Sequence, residues 1–220
     1  MDHDWKFLGA TNLTFFGMMS ASISHEFANV LAVINEKAGL LQDLCAMAEK
    51  GKPQDPARIK GLAESIQDQI KRANGIVKNM NRFAHSVDEP IKSIDLGQEV
   101  LLMAALAGRL ATNRGIALTP NIPDAPVNIE TMPFNLLTLI WFILDFVMKH
   151  ADDKKNVDLR VGENQGAPTL TLAGLHGISE LSPDDFPLEP AKSLLQLLQT
   201  NFTLESGPDA IVLTFPRKLT

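Results

Sequence analysis

The chain has 220 residues, of which 45% are hydrophobic and 21% are charged, a balance typical of a globular protein with a substantial core. Its formal net charge of −6 argues against a nucleic-acid partner, because such binding depends on cationic contacts with phosphates. The single cysteine, Cys45, excludes an internal disulfide framework and is typical of a reducing compartment.

The apolar segments of the sequence are too short to predict a membrane span. The longest one, about 136–148, is interrupted by Asp145, and a span needs roughly 20 apolar residues. The first four residues include two aspartates, whereas a signal peptide begins with a basic region. We therefore expect a cytoplasmic protein without a membrane span.

The first predicted element is a long helix from about Thr11 to Lys50. This segment contains no proline, and its apolar residues recur at steps of three and four, which places them on one helix face. Gly51 and Pro53 end the segment. The apolar stripe comprises Phe27, Val30, Ile34, Ala38, Leu41 and Cys45.

A second long helix is predicted to begin at Asp55-Pro56, with the aspartate as N-cap and the proline at the first helical position. Pro90 is expected to break it. Its stripe comprises Ile59, Leu62, Ile66, Ile70, Ala73, Val77, Met80 and Phe83. The two helices form a predicted antiparallel hairpin that occupies a domain of residues 11–88. Two copies of this all-α hairpin would cover each other's stripes as a four-helix bundle, so we expect a homodimer.

The second half of the sequence mixes helix and strand signals. Asp95 with Gln98 predicts a helix cap, and Pro133 after Thr131 predicts another helix start. Helices are predicted at about 95–113, 131–150 and 190–200. Strands are predicted at 115–118, 127–129, 157–161, 169–172, 203–205 and 210–215, with a turn at 164–166. This mixture favours an α+β sandwich over a domain of residues 94–220.

The polar motif that carries chemistry is Ser24-His25-Glu26-Phe27-Ala28-Asn29 in the first helix. Residues four apart share a helix face, so His25 and Asn29 lie together on a face that also holds Glu36. Glu26 is next to the imidazole and could take a proton, and Asn29 could hydrogen-bond a phosphoryl oxygen or a water. A zinc site of the metalloprotease type is excluded, because it needs a histidine at position 29. Taken alone, the motif is also compatible with a solvated helix face.

The order of several segments resembles the sensor histidine kinase core. Ser24–Leu31 resembles the H box, S-H-E-[IL]-x-N-P-L, with valine at the usual proline. Gln69–Ala84 resembles the second bundle helix of that family. Ile94–Leu96 and Asn113–Ile116 resemble the entry to its GHKL-type ATPase domain. The similarity covers about residues 15–216. It implies that His25 is the phospho-acceptor, Glu26 the acid or base, and Asn29 the polar residue that in some relatives helps hydrolyse the phosphorylated partner.

The segments that resemble the ATP-binding boxes lack the residues that hold nucleotide in the family. The N-box asparagines align with Phe142 and Phe146, and the register of Lys149–Ala151 argues against Asp145 as a shifted ligand. Ala173–Gly177 matches D-x-G-x-G without its aspartate and first glycine, and Ala191–Leu194 matches G-x-G-L without its glycines. The segment between these two boxes is shorter than the family's lid. We therefore expect no ATP, cofactor or metal.

The resemblance implies a kinase-derived histidine phosphotransferase of two-component signalling, similar to those of sporulation and cell-cycle relays. It would pass a phosphoryl group between response-regulator receiver domains through His25, with Glu26 and Asn29 as the other catalytic residues. Ala28, Ala32 and Glu36 are candidate receiver contacts. One alternative is a non-catalytic module that binds and regulates a receiver or kinase. The other is a histidine kinase with a divergent ATP site.

Overall fold

The computed structural model describes residues 2–176, 189–205 and 209–219, with side chains from residue 6 onward. It divides into two compact units: a hairpin unit of residues 20–81, and an α+β unit formed by the described residues of 1–19 and 82–220. The helices are α1 (Asp2–Glu49), α2 (Pro56–Ala84), α3 (Leu96–Asn113), α4 (Pro133–Lys149) and α5 (Ala191–Leu197). The strands are β1 (Lys92–Asp95), β2 (Ala117–Asn121), β3 (Asn128–Thr131), β4 (Asn156–Asn164), β5 (Ala167–Ala173), β6 (Asn201–Glu205) and β7 (Ala210–Thr214).

Helix α1 ends where the sequence predicts but begins nine residues earlier than Thr11. The additional turns contain no proline, and Leu8 is buried there on the same face as Phe15 and Met19. These positions are seven and eleven residues apart, which is two and three helical turns. Burial of Leu8 stabilises the helical turns that precede Thr11.

Helix α2 begins as predicted, because the Asp55 carboxylate accepts a hydrogen bond from the Ala57 N–H at 2.9 Å. Its end differs from the prediction, which placed the break at Pro90. The helix ends at Ala84 and tightens into a 3₁₀ turn, His85–Val87. The buried Ser86 hydroxyl donates to the Phe83 carbonyl at 2.6 Å, so a side chain satisfies one of the last backbone acceptors.

The hairpin unit buries few side chains. Within residues 20–81, Ser22, Ile23, Val30 and Leu44 are buried, all of them on α1. The expected stripe member Cys45 is exposed. The three buried apolar residues are separated by multiples of seven, so they follow a coiled-coil seam and not the full predicted stripe. Position 45 lies one residue past that seam.

The α+β unit is built on a five-stranded sheet of order β2-β4-β5-β7-β6. Strands β2 and β4 are parallel and the other neighbours are antiparallel. Strands β1 and β3 form a separate antiparallel pair. Helix α4 contacts α3 and α5 and packs on β5, and eleven of its 17 residues are buried. These helices with a mixed sheet confirm the predicted α+β class.

Local signals in this unit are confirmed with small shifts. Asp95 caps α3 by accepting from the Gly97 N–H at 3.0 Å. Gln165 and Gly166 have φ of 50° and 82°, as a two-residue type I′ hairpin turn requires. Thr131 lies in β3 instead of starting α4, whose N-cap is Met132. Strand β2 continues three residues past the predicted strand 115–118 and includes Pro120, where an edge strand tolerates the missing N–H.

Four phenylalanine rings pack together within the α+β unit. Phe83 at the end of α2 has its ring centroid 5.6 Å from Phe15 and 5.4 Å from Phe16. Phe134, in the first turn of α4, is 5.9 Å from Phe83. These distances are typical of favourable aromatic pairs, so the cluster packs the N-terminal part of α1 and the end of α2 against α4.

In the part of the chain that the structure describes, every helix is too short or too polar to span a bilayer.

Candidate functional site

The candidate site lies on α1, on the exposed side of the hairpin unit. His25 and Asn29 are both exposed and are one helical turn apart. The Asn29 amide nitrogen, Nδ2, is 3.2 Å from the imidazole Nδ1 of His25, within hydrogen-bond distance. The structure therefore brings together two of the three residues that the sequence predicts as catalytic.

Glu26, the third predicted site residue, has its partner on the other helix. Its Oε1 accepts a hydrogen bond from the guanidinium of Arg72 on α2 at 2.9 Å. The Glu26 side chain is 26% exposed and that of Arg72 58% exposed, so the pair is open to water. An ion pair this exposed contributes about 0–1 kcal/mol to stability. Its stronger effect is to direct the carboxylate of Glu26 toward α2.

Sequence reasoning missed Arg72 as a member of this site. Both residues were assigned to helices, but helical periodicity does not give the register in which two helices face each other. A charge of opposite sign to Glu26 on the second helix was the available signal, and α2 carries several basic residues. Only the folded hairpin identifies Arg72 as the partner.

The surface around His25 carries small and polar side chains. Ala28 and Ala32 are exposed on the same helix, as is Glu36, whose carboxylate pairs with Lys37 at 3.0 Å. Methyl side chains at positions 28 and 32 leave space beside the imidazole. Among the described residues, the ring nitrogen Nε2 of His25 has no hydrogen-bond partner. The ring can therefore be approached from solvent on its Nε2 side.

An exposed imidazole supported at Nδ1 can act as a nucleophile or as a proton carrier. The neutral ring has one protonated nitrogen and one nitrogen with a free lone pair. Whichever group contacts Nδ1 decides which of the two tautomers is favoured. A group that contacts Nδ1 thereby controls the reactivity of Nε2.

The α4 segment that resembles the N box is occupied by apolar packing and ion pairs. Phe142 and Phe146 are half-buried at the positions of the two asparagines. Asp145 accepts from Arg114 at 2.7 Å and from Lys149 at 2.7 Å, and its side chain is 18% exposed. Both carboxylate oxygens of Asp145 are therefore engaged by cations of the protein.

The segment that resembles D-x-G-x-G is fixed by backbone pairing next to the end of α4. The His176 N–H donates to the carbonyl of His150 at 2.9 Å, and the Asp152 N–H donates to the carbonyl of Gly174 at 3.0 Å. Leu175, at the position of the first glycine, is 3% exposed. A buried leucine occupies the place where the family has a flexible glycine. Gly177, the last residue of this box, lies outside the described residues.

The segment that resembles G-x-G-L forms the first turn of α5. Ala191 and Leu194 are both buried, so these positions contribute to the core. The short segment expected to correspond to the lid falls largely on residues 177–188, outside the described part of the chain. Trp141 on α4 is 3% exposed and belongs to the core.

Among the described residues of the α+β unit, Glu99 is the carboxyl group with a clearly shifted pKa. Burial raises the pKa of Glu99 above its usual value, although Arg82, 3.3 Å away, opposes the shift. This pair borders a cavity of about 200 Å³ that His85 and Lys92 also line. His85 pairs with Asp88 and Lys92 with Glu89, so the cavity's charges are compensated. In residues 2–176, 189–205 and 209–219, no group of three or more metal-binding side chains is assembled.

No protein-family model and no curated protein sequence matches the chain. Among solved structures, it is similar to the histidine kinase AdeS of Acinetobacter baumannii, with 9% identity and a TM-score of 0.48 over 82% of this chain and 95% of that one. It is similar to the catalytic domain of histidine kinase ThkA, with 7% identity and a TM-score of 0.49 over 60% of this chain and all of that one. A bacterial phosphotransferase gives 16% identity and a TM-score of 0.47 over 93% and 96% of the two chains. Similarity at this level assigns no activity to the chain.

Proposed function

We propose that the protein is a homodimeric histidine phosphotransferase of two-component signalling. His25 accepts a phosphoryl group from the phospho-aspartate of one response-regulator receiver domain and passes it to the aspartate of another. The observation that carries this proposal is the exposed His25 ring, supported at Nδ1 by Asn29 and free of described partners at Nε2.

The reaction needs no nucleotide at this chain. The Nε2 lone pair attacks phosphorus, the P–Nε2 bond forms, and the P–O bond to the receiver's aspartate breaks. The aspartate leaves as a carboxylate. Acyl phosphates and phosphohistidines both have high transfer potential, so the phosphoryl group can move in either direction. Catalysis of such a transfer depends on positioning and on stabilising charge on the phosphoryl oxygens.

The residues next to His25 suit a receiver docked on the side of the hairpin. Ala28 and Ala32 are exposed and present only methyl groups, which allow another backbone to approach closely. Glu36 is about three helical turns from His25 and offers a charge at the edge of this face. Arg72, half-exposed beside Glu26, supplies a cation near the site of transfer. We assign these four residues to the docking face.

The homodimer is supported by the apolar residues that the hairpin unit leaves exposed. On α2, Ile59, Ile70, Val77 and Met80 are between 37% and 46% exposed. Their spacing of eleven, seven and three residues places them along one face of the helix. Burying a large aliphatic side chain fully contributes about 1.5–3 kcal/mol, so a second hairpin against this face would be stabilised substantially. A four-helix bundle of two hairpins satisfies that requirement.

Independence from ATP is supported by the packing of the α+β unit. The aromatic residues Phe142 and Phe146 offer no ligand for magnesium or phosphate, since divalent magnesium binds oxygen ligands. Asp145 is already held by Arg114 and Lys149. Releasing it for a metal ion would leave those two cations without their partner.

The test is phosphotransfer from purified, phosphorylated receiver domains of the same organism. The wild-type protein should gain an acid-labile phosphate, and His25→Gln should abolish labelling while His176→Gln, at an exposed histidine elsewhere, labels normally. Labelled ATP with magnesium should label neither the wild type nor the variants. Calorimetry should detect no saturable ATP binding to the wild type. Light scattering on each variant checks that the dimer is retained.

The other outcomes identify a different function. Normal labelling of His25→Gln would show that another residue carries the phosphoryl group. Tight receiver binding without any labelling of the wild type would establish a binding module instead of a phosphotransferase. Labelling by ATP at His25 would establish a histidine kinase with an unusual nucleotide site.

A further inference from the structure

We propose that Asn29 is a positioning residue that sets the tautomer of His25 through two orientations of its amide group. This inference rests on the proposed phosphotransfer at His25 and concerns how that site both accepts and stores the phosphoryl group. It starts from one contact, the 3.2 Å between Nδ2 of Asn29 and Nδ1 of His25. Within the described part of the chain, no other group contacts the ring nitrogens.

In the orientation that the structure shows, the amide nitrogen can only donate, so Nδ1 must accept with its lone pair. The proton of a neutral ring then lies on Nε2. In this tautomer Nε2 has no free lone pair and cannot attack phosphorus. The observed arrangement is therefore a resting state of His25.

Rotation of the Asn29 amide by 180° places Oδ1 where Nδ2 was, next to Nδ1 of His25. The two groups are nearly equal in size, so the rotation requires no movement of α1. Oδ1 accepts a hydrogen bond from a protonated Nδ1, and the lone pair moves to Nε2. As the P–Nε2 bond forms, the ring becomes positively charged, and the carbonyl dipole of Asn29 stabilises the Nδ1 proton. The exposed site can then release that proton to water.

Storage of the phosphoryl group uses the first orientation again. A neutral phosphohistidine carries phosphorus on Nε2 and a lone pair on Nδ1, which the Asn29 N–H can stabilise. Release to the next receiver is easier when Nδ1 is protonated, because the leaving group is then a neutral imidazole. An asparagine can accept the Nδ1 hydrogen bond during attack and donate one to Nδ1 during storage, whereas a carboxylate can only accept. Glu26, the adjacent carboxylate, is bound to Arg72 on α2.

The experiment labels His25 with phosphoramidate, a small phosphoryl donor that does not depend on receiver docking. Asn29→Leu keeps the approximate size but can neither donate nor accept, and Asn29→Asp can only accept. Asn35→Leu, at an exposed asparagine on the same helix, is the matched control. Two quantities are measured for each full-length protein: the labelling rate, and the lifetime of the phosphohistidine after the donor is removed.

The two variants should differ in labelling rate and share a shorter lifetime of the phosphohistidine. Asn29→Leu should label more slowly and also lose its phosphate faster, each by roughly five-fold, the effect of one lost hydrogen bond. Asn29→Asp should label at least as fast as wild type but lose its phosphate faster. In ¹⁵N spectra of the unphosphorylated proteins, His25 should carry its proton on Nε2 in the wild type and on Nδ1 in Asn29→Asp.

Wild-type rates and lifetimes in Asn29→Leu, or one tautomer shared by the wild type and Asn29→Asp, would overturn the inference. The proposed phosphotransferase function fails separately, when phosphoramidate labels His25 but no receiver exchanges phosphate with it. A purely structural role of Asn29 would slow labelling in Asn29→Asp as it does in Asn29→Leu, instead of leaving the aspartate variant at least as fast as the wild type.

Discussion

The hairpin unit and the α+β unit use their apolar residues in opposite ways. In residues 20–81 only four side chains are buried, whereas helix α4 alone buries eleven of its 17 residues. The hairpin unit leaves Ile59, Ile70, Val77 and Met80 exposed. The α+β unit thus has an extensive core of its own, whereas the hairpin unit leaves much of its apolar surface exposed.

The same contrast applies to the polar groups. His25 and Asn29 are exposed on the hairpin, while Asp145 in α4 is held by two cations of its own unit. Polar groups that face solvent remain available to a partner, and groups that are paired internally do not. The phosphotransfer proposed for this chain therefore uses groups on the hairpin that face solvent, whereas Asp145 of the α+β unit is engaged within its own unit.

Substitution of Ile70 by aspartate is the most disruptive way to test the contrast. A charge on the exposed α2 face would have to be buried in a dimer, which is costly for an unpaired carboxylate. We expect Ile70→Asp to raise the protein concentration needed for dimerisation by orders of magnitude. Lys71→Asp, one position away, should change that concentration little. Light scattering over a dilution series measures the shift. A stable wild-type monomer at micromolar concentration would contradict the prediction.

Truncation of a core side chain in α4 should give the next largest effect. Ile140 is 0% exposed, so Ile140→Ala should reduce the free energy of unfolding by about 2–5 kcal/mol. Ile70→Ala is the matched control. It should reduce the free energy of unfolding by less, in a sample dilute enough to be monomeric. Chemical denaturation of both variants measures the difference. Equal losses would mean that the two units do not differ as described.

Removal of the Asp145 carboxylate should have a moderate effect on stability. Asp145→Asn loses the ionic character of its contacts with Arg114 and Lys149, for which we expect a loss of about 1 kcal/mol that decreases at high salt. Thermal unfolding at low and high salt measures it. Nucleotide titration of the same variant supplies a control. If the Asp145 carboxylate served to bind magnesium, its removal would weaken ATP binding and leave the stability of the fold unchanged.

The smallest effect is expected at Glu99, because burial raises the pKa of its carboxyl group. The folded protein then binds this proton more strongly than the unfolded chain does, so this group's contribution to stability falls as pH rises through the raised pKa. Below the ordinary pKa of glutamate, that contribution is fully present. Glu99→Gln should remove this part of the pH dependence of Tm, while the exposed Glu64→Gln should not. Parallel pH profiles of the wild type and Glu99→Gln would contradict the prediction.

Periodicity and capping signals predicted most of the secondary structure because their causes are local. Asp55 and Asp95 cap helices as expected, and the turn at 164–166 forms with its positive φ values. The earlier start of α1 was not predicted, because it depends on burial of Leu8, a tertiary effect. The extension of β2 past the predicted strand 115–118 to include Pro120 was not predicted for a similar reason, since only the sheet order shows that β2 is an edge.

The candidate site was predicted in part. His25 and Asn29 were placed together by helical spacing, and the structure adds the atoms that meet. The Arg72 contact of Glu26 could not be predicted, because it depends on the register between two helices. The assignment of His25 as phospho-acceptor, the homodimer and the receiver partners remain predictions.

Pro120 has a consequence for how copies of this protein can associate. The Ala117 N–H donates to Lys155 at the start of the β2–β4 pairing, so residues 117, 119 and 121 face β4 and position 120 faces the open edge. A proline there withholds one of the few donors that an added strand would need. Natural sheets use edge prolines to prevent polymerisation into cross-β aggregates. The edge beside β2 therefore offers one donor fewer to an added strand, which disfavours growth of the sheet on that side.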